Sequence, residues 1–411
     1  MEGATFLRSL RLTNFLSYGP AGVTVELEPL NVLIGPNTSG KSNLIEAIGL
    51  LQATPSQDRL AAAISLGGGI GEWLWKGSPA TLRFELEAVV ENPKGQMPLR
   101  YRLAVGRSGQ RMAVVDETVE NERAYPGLAD PYFYYRWQGG HPVLNARLAD
   151  SGPGAGGPRT QRKLRREDLN PEQSVLAQRY DPDLYPELAY LADRFRAIRL
   201  YRENTLGPLS APRLPQKPDG PADFLLEDGS NLGLVINSLQ HGPGRTRFES
   251  YLKKLHVNTD TVSNRIDQGS VQIYLHERGL QAPVPGTRLS DGTMRYLCLL
   301  TVLCHPSPPS LICIDEPELG LHPDLVATLA DLFTEACQRT QLVITTHSEV
   351  LVAALSSVPE AVVVSERDET GTSLRRLSRN TLGDWLQRYS LVIFGATGIW
   401  AATPNDRGAH L

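Results

Sequence analysis

Cysteine is scarce in this chain of 411 residues: Cys298, Cys304, Cys313 and Cys337 are the only four. None forms a C-x-x-C pair and three lie in apolar runs. That argues against a disulfide framework and for free buried thiols in a reducing compartment. A basic excess is also missing. Lys and Arg number 41 against 45 Asp and Glu, a net charge of −4, whereas a compact nucleic-acid-binding domain carries a positive surplus. The whole chain is therefore not such a module, although a local patch stays open. No run reaches the ~18 apolar residues that span a bilayer. Met1–Thr5 has neither the basic nor the apolar part of a secretory leader. The expectation is a cytoplasmic protein with no membrane partner. Internal repeats and heptad runs of coiled-coil length are absent too.

What is present is an ordinary globular composition, 41% hydrophobic and 21% charged, ample for a core. At about 150 residues per domain this allows two or three domains, or one with large insertions. Alternating apolar and polar residues predict strands at 6–12, 23–27, 81–87 and 99–103, with a meander across 79–118. Helices are predicted at 41–52, 184–196, 230–240 and 247–255, and strands at 197–201 and 270–275. From Leu289 the pattern alternates: helix 291–304, strand 310–314, helix 323–337, strand 341–345, helix 348–355, strand 360–365. That is the rhythm of a mainly parallel sheet covered by helices. Residues 139–170 read as a loop, because Ser151–Pro158 is almost entirely Gly and Pro.

Four strings carry chemistry. Gly35-Pro36-Asn37-Thr38-Ser39-Gly40-Lys41-Ser42 follows the apolar Val32-Leu33-Ile34 and fits G-x-x-x-x-G-K-[ST]. Its amides and the helix N-terminus beyond would cradle phosphates, with Lys41 on the β- and γ-phosphates and Ser42 on Mg²⁺. Asn43 continues the loop. Leu311-Ile312-Cys313-Ile314-Asp315-Glu316 is a buried strand ending in two carboxylates, a costly arrangement without a task. Asp315 is expected to hold Mg²⁺ through water, and Glu316 to orient and deprotonate the attacking water. Gln341–Ser348 is a third strand, whose tip places His347 where a γ-phosphate would lie. Leu289-Ser290-Asp291-Gly292-Thr293 opens a helix and forms a second anion seat. One protein does not need two such seats for one nucleotide, so this one is expected to serve the ATP of a second copy.

This set resembles ABC-type ATPase heads, on the RecF/SMC-like side rather than the transporter side. Leu10-Arg11-Leu12-Thr13-Asn14-Phe15 looks like the opening strand of that side, Gly40–Ile48 like its phosphate-loop helix, and Asp315-Glu316-Pro317 keeps its order. Asp228–Leu232 and Glu318-Leu319-Gly320-Leu321-His322-Pro323 resemble markers of the RecF-like AAA-family ATPases that include overcoming-lysogenization-type defence proteins. The resemblance extends to about Ser390. It implies an α/β P-loop NTPase: an ABC ATPase head with a mainly parallel sheet, an antiparallel β subdomain and an inserted helical lobe. It implies ATP and Mg²⁺ as cofactors, an ATP-sandwiched homodimer, and a nucleic acid or separate effector protein as further partner, in DNA or RNA maintenance or anti-phage defence. A transporter's ATP-binding subunit and a non-hydrolysing scaffold are the alternatives.

Two departures from the transporter pattern stand out. His322 stands where an aspartate is usual, and Asp291 and Thr293 replace the usual signature residues. The glutamine that senses Mg²⁺ has no clear match; Gln173 is the nearest candidate. The space where SMC proteins insert a coiled coil holds short elements, so the expected molecule is a compact head. Its expected parts are an ATPase lobe at 1–138, a mobile Gly/Pro and basic loop at 139–170, an inserted region at 171–288 and a second ATPase lobe at 289–390. The tail at 391–411 breaks the pattern. One back-translation of it, with a single base inserted, restores a family-like ending, so a one-base deletion is the expected origin. Arg159–Arg166 is the one strong basic run, fit either to track a phosphate backbone or to be a solvated face.

Overall fold

A computed structural model describes residues 3–78, 81–93, 95–109, 111–138, 141–147, 159–202, 206–267 and 269–377. Along the chain, β1 (Leu7–Thr13) and β2 (Val23–Glu26) form a hairpin, and β3 (Leu30–Ile34) leads into α1 (Lys41–Ala53), α2 (Arg59–Leu66) and α3 (Ile70–Trp73). Six strands follow: β4 (Arg83–Val90), β5 (Leu99–Ser108), β6 (Arg111–Asn121), β7 (Phe133–Gln138), β8 (His141–Arg147) and β9 (Arg159–Lys163). Next come α4 (Val175–Gln178), α5 (Pro186–Ala197), β10 (Arg199–Tyr201), α6 (Leu232–His241) and α7 (Arg245–Leu252). Three strands, β11 (Thr259–Asp267), β12 (Ser270–Glu277) and β13 (Val284–Pro285), precede α8 (Asp291–Leu303). The chain then runs through β14 (Leu311–Asp315), α9 (Pro323–Ala336), β15 (Gln341–Thr345), α10 (Glu349–Ala354), β16 (Val362–Asp368) and β17 (Gly371–Arg376).

The central sheet has the order β10-β14-β15-β3-β16-β17, parallel except for β17. Its inner strands β14, β15 and β3 are buried on both faces, as a parallel sheet covered by helices requires. Alternate residues feed two cores. Leu33, Leu311, Cys313, Val343 and Val363 face α1, α5 and the eight-stranded antiparallel sheet. Val32, Ile34, Ile312, Ile314, Leu342 and Ile344 face a layer that includes Ile236, Phe248, Leu297, Leu300, Leu329 and Phe333 of α6 to α9. The antiparallel sheet runs β2-β1-β4-β5-β6-β7-β8-β9. It realises the expected β subdomain, and its meander runs on well past residue 118.

The loop expected at 139–170 is only partly a loop. His141–Arg147 and Arg159–Lys163 pair antiparallel as the last hairpin of that sheet, and Thr160 to Lys163 are exposed on its edge strand. Asn145 masks the pattern of β8, where Pro142 to Ala146 are all buried. The Asn145 amide donates to Phe133 O at 2.7 Å, which satisfies it inside the sheet. The Gly/Pro string 151–158 and the tail 391–411 lie outside the described residues.

One buried carboxylate ties this sheet to the start of α4. Glu117 on β6 accepts from the Tyr101 hydroxyl at 2.7 Å, from the Ser174 hydroxyl, and from the Val175 amide at 2.8 Å. Burial pushes its carboxyl from 4.5 up to about 7, outweighing the three donors that favour the charged form. A group raised on folding contributes its full stability below its unfolded value and loses it as pH climbs through its folded one. Relative to Glu117→Gln, the native protein is therefore expected to lose about 3 kcal/mol between pH 4.5 and 7, with a level difference above that. Thermal melts of both proteins across that window check it, and a pH-independent difference contradicts it.

Candidate functional site

The phosphate loop leaves β3 with Gly35 at φ +147°, Thr38 at +68° and Gly40 at +101°. A Cβ on Gly40 would run into the hydroxyls of Thr372 and Ser17, so glycine is required there by space as well as by φ. The loop is held from outside. Thr372 Oγ1 donates to Ser39 O at 2.8 Å, and the Ser365 hydroxyl donates to the same oxygen at 2.9 Å. The Tyr18 hydroxyl donates to Gly40 O at 3.1 Å, and the Asn43 amide to Ser17 Oγ at 2.8 Å. Ser17, Tyr18, Ser365 and Thr372 were invisible to motif reading, because they reach the loop from the β1–β2 turn and from β16 and β17.

Lys41 is buried and donates to Gly35 O and Pro36 O, both at 2.9 Å. Burial holds its ammonium below the ordinary lysine range, while Glu316 and then Asp315 pull it back up. Two carbonyls do not neutralise an ammonium, and the buried Ser39 hydroxyl has no partner. An amide-lined loop at a helix N-terminus, a buried cation and an orphaned hydroxyl together fit a polyphosphate.

The carboxylates stand beside it. β14 lies next to β15, and β15 next to β3, so Asp315 is in register with Thr345 and Thr345 with Leu33. The Thr345 hydroxyl donates to Asp315 Oδ1. Glu316 sits at φ +47°, a left-handed conformation that costs a non-glycine residue about 1–2 kcal/mol. Its amide is held by Thr345 O at 3.1 Å. Its Oε1 lies 3.4 Å from His347 Nε2. Glu318 fixes the histidine's loop, accepting from the Thr346 hydroxyl at 2.7 Å and the His347 amide at 2.9 Å. Among the described residues no cluster of three His, Cys, Asp or Glu could hold a metal. A sparse set of Asp315 and the Ser42 hydroxyl suits Mg²⁺, which keeps waters and phosphate oxygens as its other ligands.

The structure thus gathers residues 35–43, Asp315, Glu316 and His347 at one edge of the sheet. Residues 289–293 start the neighbouring helix α8, whose Arg295 reaches Glu316 O at 3.4 Å. Ser290 caps α8, accepting from the Thr293 amide at 3.0 Å. Gly292 packs so tightly on the Gly320 carbonyl that a Cβ would collide with it. Among the described residues no hydrogen bond joins 289–293 to 35–43.

Gln173 lines a separate cavity with Arg107, Glu117 and Tyr135, away from the loop residues. The sheet position beside Asp315 belongs instead to the end of β10. Tyr201 is in register with Ile314, which sets Arg202 level with Asp315. Arg202 pairs with Glu46 of α1 at 2.9 Å. A cavity of about 820 Å³ opens there between Arg202, Glu227, Arg295 and Asp315. Sequence reading found the strand but not its neighbour.

A phosphate loop, paired carboxylates at the end of a parallel strand two positions away in the sheet and a histidine just past the strand between them define an ABC-type P-loop ATPase head of the RecF/SMC class. The chain belongs to the family described as "AAA domain, putative AbiEii toxin, Type IV TA system", whose profile matches residues 30–353. It is also similar to the DNA replication and repair protein RecF of Limosilactobacillus fermentum (strain NBRC 3956 / LMG 18251), 36% identical over 108 residues. That match spans 26% of this chain and only 25% of the relative. Among solved structures, an Smc head bound to the C-winged helix domain of ScpA superposes with a TM-score of 0.57 at 16% identity, over 92% of this chain and 99% of that one. An Smc head with an extended coiled coil, bound to the C-terminal domain of ScpA derived from Pyrococcus furiosus, gives 0.53 at 14%, over 93% and 98%. At these identities the likeness is one of fold. No helix among the described residues is long and apolar enough to cross a membrane.

Proposed function

We propose that this chain hydrolyses Mg-ATP and that ATP binds two copies head to head, hydrolysis separating them again. The observation that carries the reading is the unfinished site. One sheet edge holds the phosphate loop, Asp315, Glu316 and His347, while the second anion seat at Ser290 and Gly292 makes no hydrogen bond to its own loop. A second copy, turned about a two-fold axis, would supply that seat in trans. Lys41 then neutralises the β- and γ-phosphates, Ser42 and Asp315 hold Mg²⁺, Glu316 takes the proton of the attacking water and His347 contacts the γ-phosphate. When bound, Mg²⁺ spreads the charge that develops on the phosphates.

In this reading residues 1–138 and 289–390 form the ATPase lobes, and the intervening region chooses the partner. The two similar Smc heads carry ScpA domains, which supports a separate protein partner. The family's description names a toxin system, in keeping with a defence setting, and the RecF relative with DNA maintenance. Sedimentation velocity tests the pairing. Protein with ATP and Mg²⁺ is expected to move as a dimer, and with EDTA as a monomer. A monomer under both conditions, in the native protein and in Glu316→Gln alike, rejects it.

A further inference from the structure

Arg213 stands in the proline-rich connection between β10 and α6, at the end of a single 3₁₀ turn, Ala211–Arg213. Its side chain is 3% exposed. A buried guanidinium needs acceptors for its donors, and every acceptor it finds but one belongs to the approach to α8 or to the signature itself. Nη1 donates to Gly286 O at 3.2 Å and to Leu289 O at 2.5 Å. Nη2 donates to Asp291 Oδ1 at 2.5 Å. Nε donates to Leu206 O at 2.9 Å, four residues beyond Arg202 at the metal edge of the sheet. The planar fork of arginine serves these divergent acceptors at once; the point charge of a lysine does not.

Asp291 is one of the two residues that depart from the usual signature. It sits in the first turn of α8, where the second anion seat lies, and its side chain is 67% exposed. A bare carboxylate there would repel an arriving polyphosphate. The ion pair with Arg213 offsets that charge beside the Ser290 hydroxyl and the helix N-terminus.

We propose that Arg213 is a positioning residue for the trans half of the ATP site: it fixes the backbone of 286–291 and masks the negative charge of Asp291. This rests on the head-to-head reading above. The bland explanation, that Asp291 merely favours the positive end of α8, predicts no dependence on Arg213.

The test compares Arg213→Met, Arg213→Lys and Arg213→Met/Asp291→Asn, each in a Glu316→Gln chain. Binding of a fluorescent ATP analogue to the lone protomer is expected to be unchanged in all three, which also shows that they fold. ATP-driven pairing by sedimentation is expected to weaken about tenfold or more in Arg213→Met. It should fall less in Arg213→Lys, which keeps the charge, and recover substantially in the double variant, which removes the bare carboxylate. Pairing of Arg213→Met at the parent's strength, or a double variant as weak as the single one, overturns the proposal. If the Glu316→Gln parent itself does not pair, the head-to-head reading fails instead. Hydrogen exchange then decides on Arg213: faster exchange at amides 290–294 in Arg213→Met, with 35–43 unchanged, supports the loop-fixing role, and unchanged exchange at 290–294 rejects it.

Discussion

Glu316→Gln is expected to lower ATP turnover roughly 10²–10⁴-fold, the range for loss of a general base, while leaving nucleotide binding intact. Glutamine keeps the shape of the side chain and its acceptor oxygen but cannot take a proton. The backbone strain at φ +47° does not change, because the amide anchor to Thr345 O does not involve the carboxylate. The His347 ring, 3.4 Å away, keeps a polar neighbour. With binding preserved and hydrolysis blocked, ATP stays in the site and the paired state should accumulate. Phosphate release and sedimentation, measured on the same preparation, read both effects. A variant that turns ATP over at the native rate removes Glu316 from the mechanism. One that fails to turn over but never pairs preserves its catalytic role and argues against the dimer.

Lys41→Ala is expected to act one step earlier, on binding. Its ammonium is a buried positive charge at the loop, resting on two carbonyls 2.9 Å away. Transfer of its donors to phosphate oxygens makes two charge-assisted hydrogen bonds, each worth about 1.5–3 kcal/mol. Their loss corresponds to roughly 10²–10⁴-fold in ATP affinity. The fold should survive, because the loop is fastened independently through Ser39 O and Gly40 O by Ser365, Thr372 and Tyr18. Titration with a fluorescent ATP analogue, beside a thermal melt, separates the two effects. Undiminished affinity would mean that the nucleotide binds elsewhere.

The candidate residues around the glycine-rich loop could be named because their patterns are local. Eight consecutive residues make the phosphate loop, and two adjacent carboxylates at the end of an apolar strand announce Asp315 and Glu316. The strand and helix rhythm after Leu289 was equally plain: α8, β14, α9 and β15 fall within a residue or two of their predicted spans. The hairpin β8–β9 was not legible, since Asn145 breaks the alternation of β8 and finds its partner only across the sheet. Arg213 was invisible for a sharper reason. In sequence it is one arginine in an irregular proline-rich stretch, and its partners Leu289 and Asp291 lie 76 and 78 residues away.

The sequence alone therefore determined the class of protein and named the candidate residues: a glycine-rich loop ahead of a helix, two carboxylates ending a buried strand and a polar string opening the helix after Leu289. Each rests on residues within one turn or strand of each other, whose backbone geometry their own spacing dictates. The tertiary structure decided which strands lie side by side, and so that Asp315, Thr345 and the loop share one edge with Arg202 level beside them. It decided that, among the described residues, 289–293 make no hydrogen bond to 35–43, and that the unusual Asp291 is held by a buried guanidinium. Those facts depend on packing between segments remote in the chain, where burial forces each polar group to find an acceptor that no local pattern names.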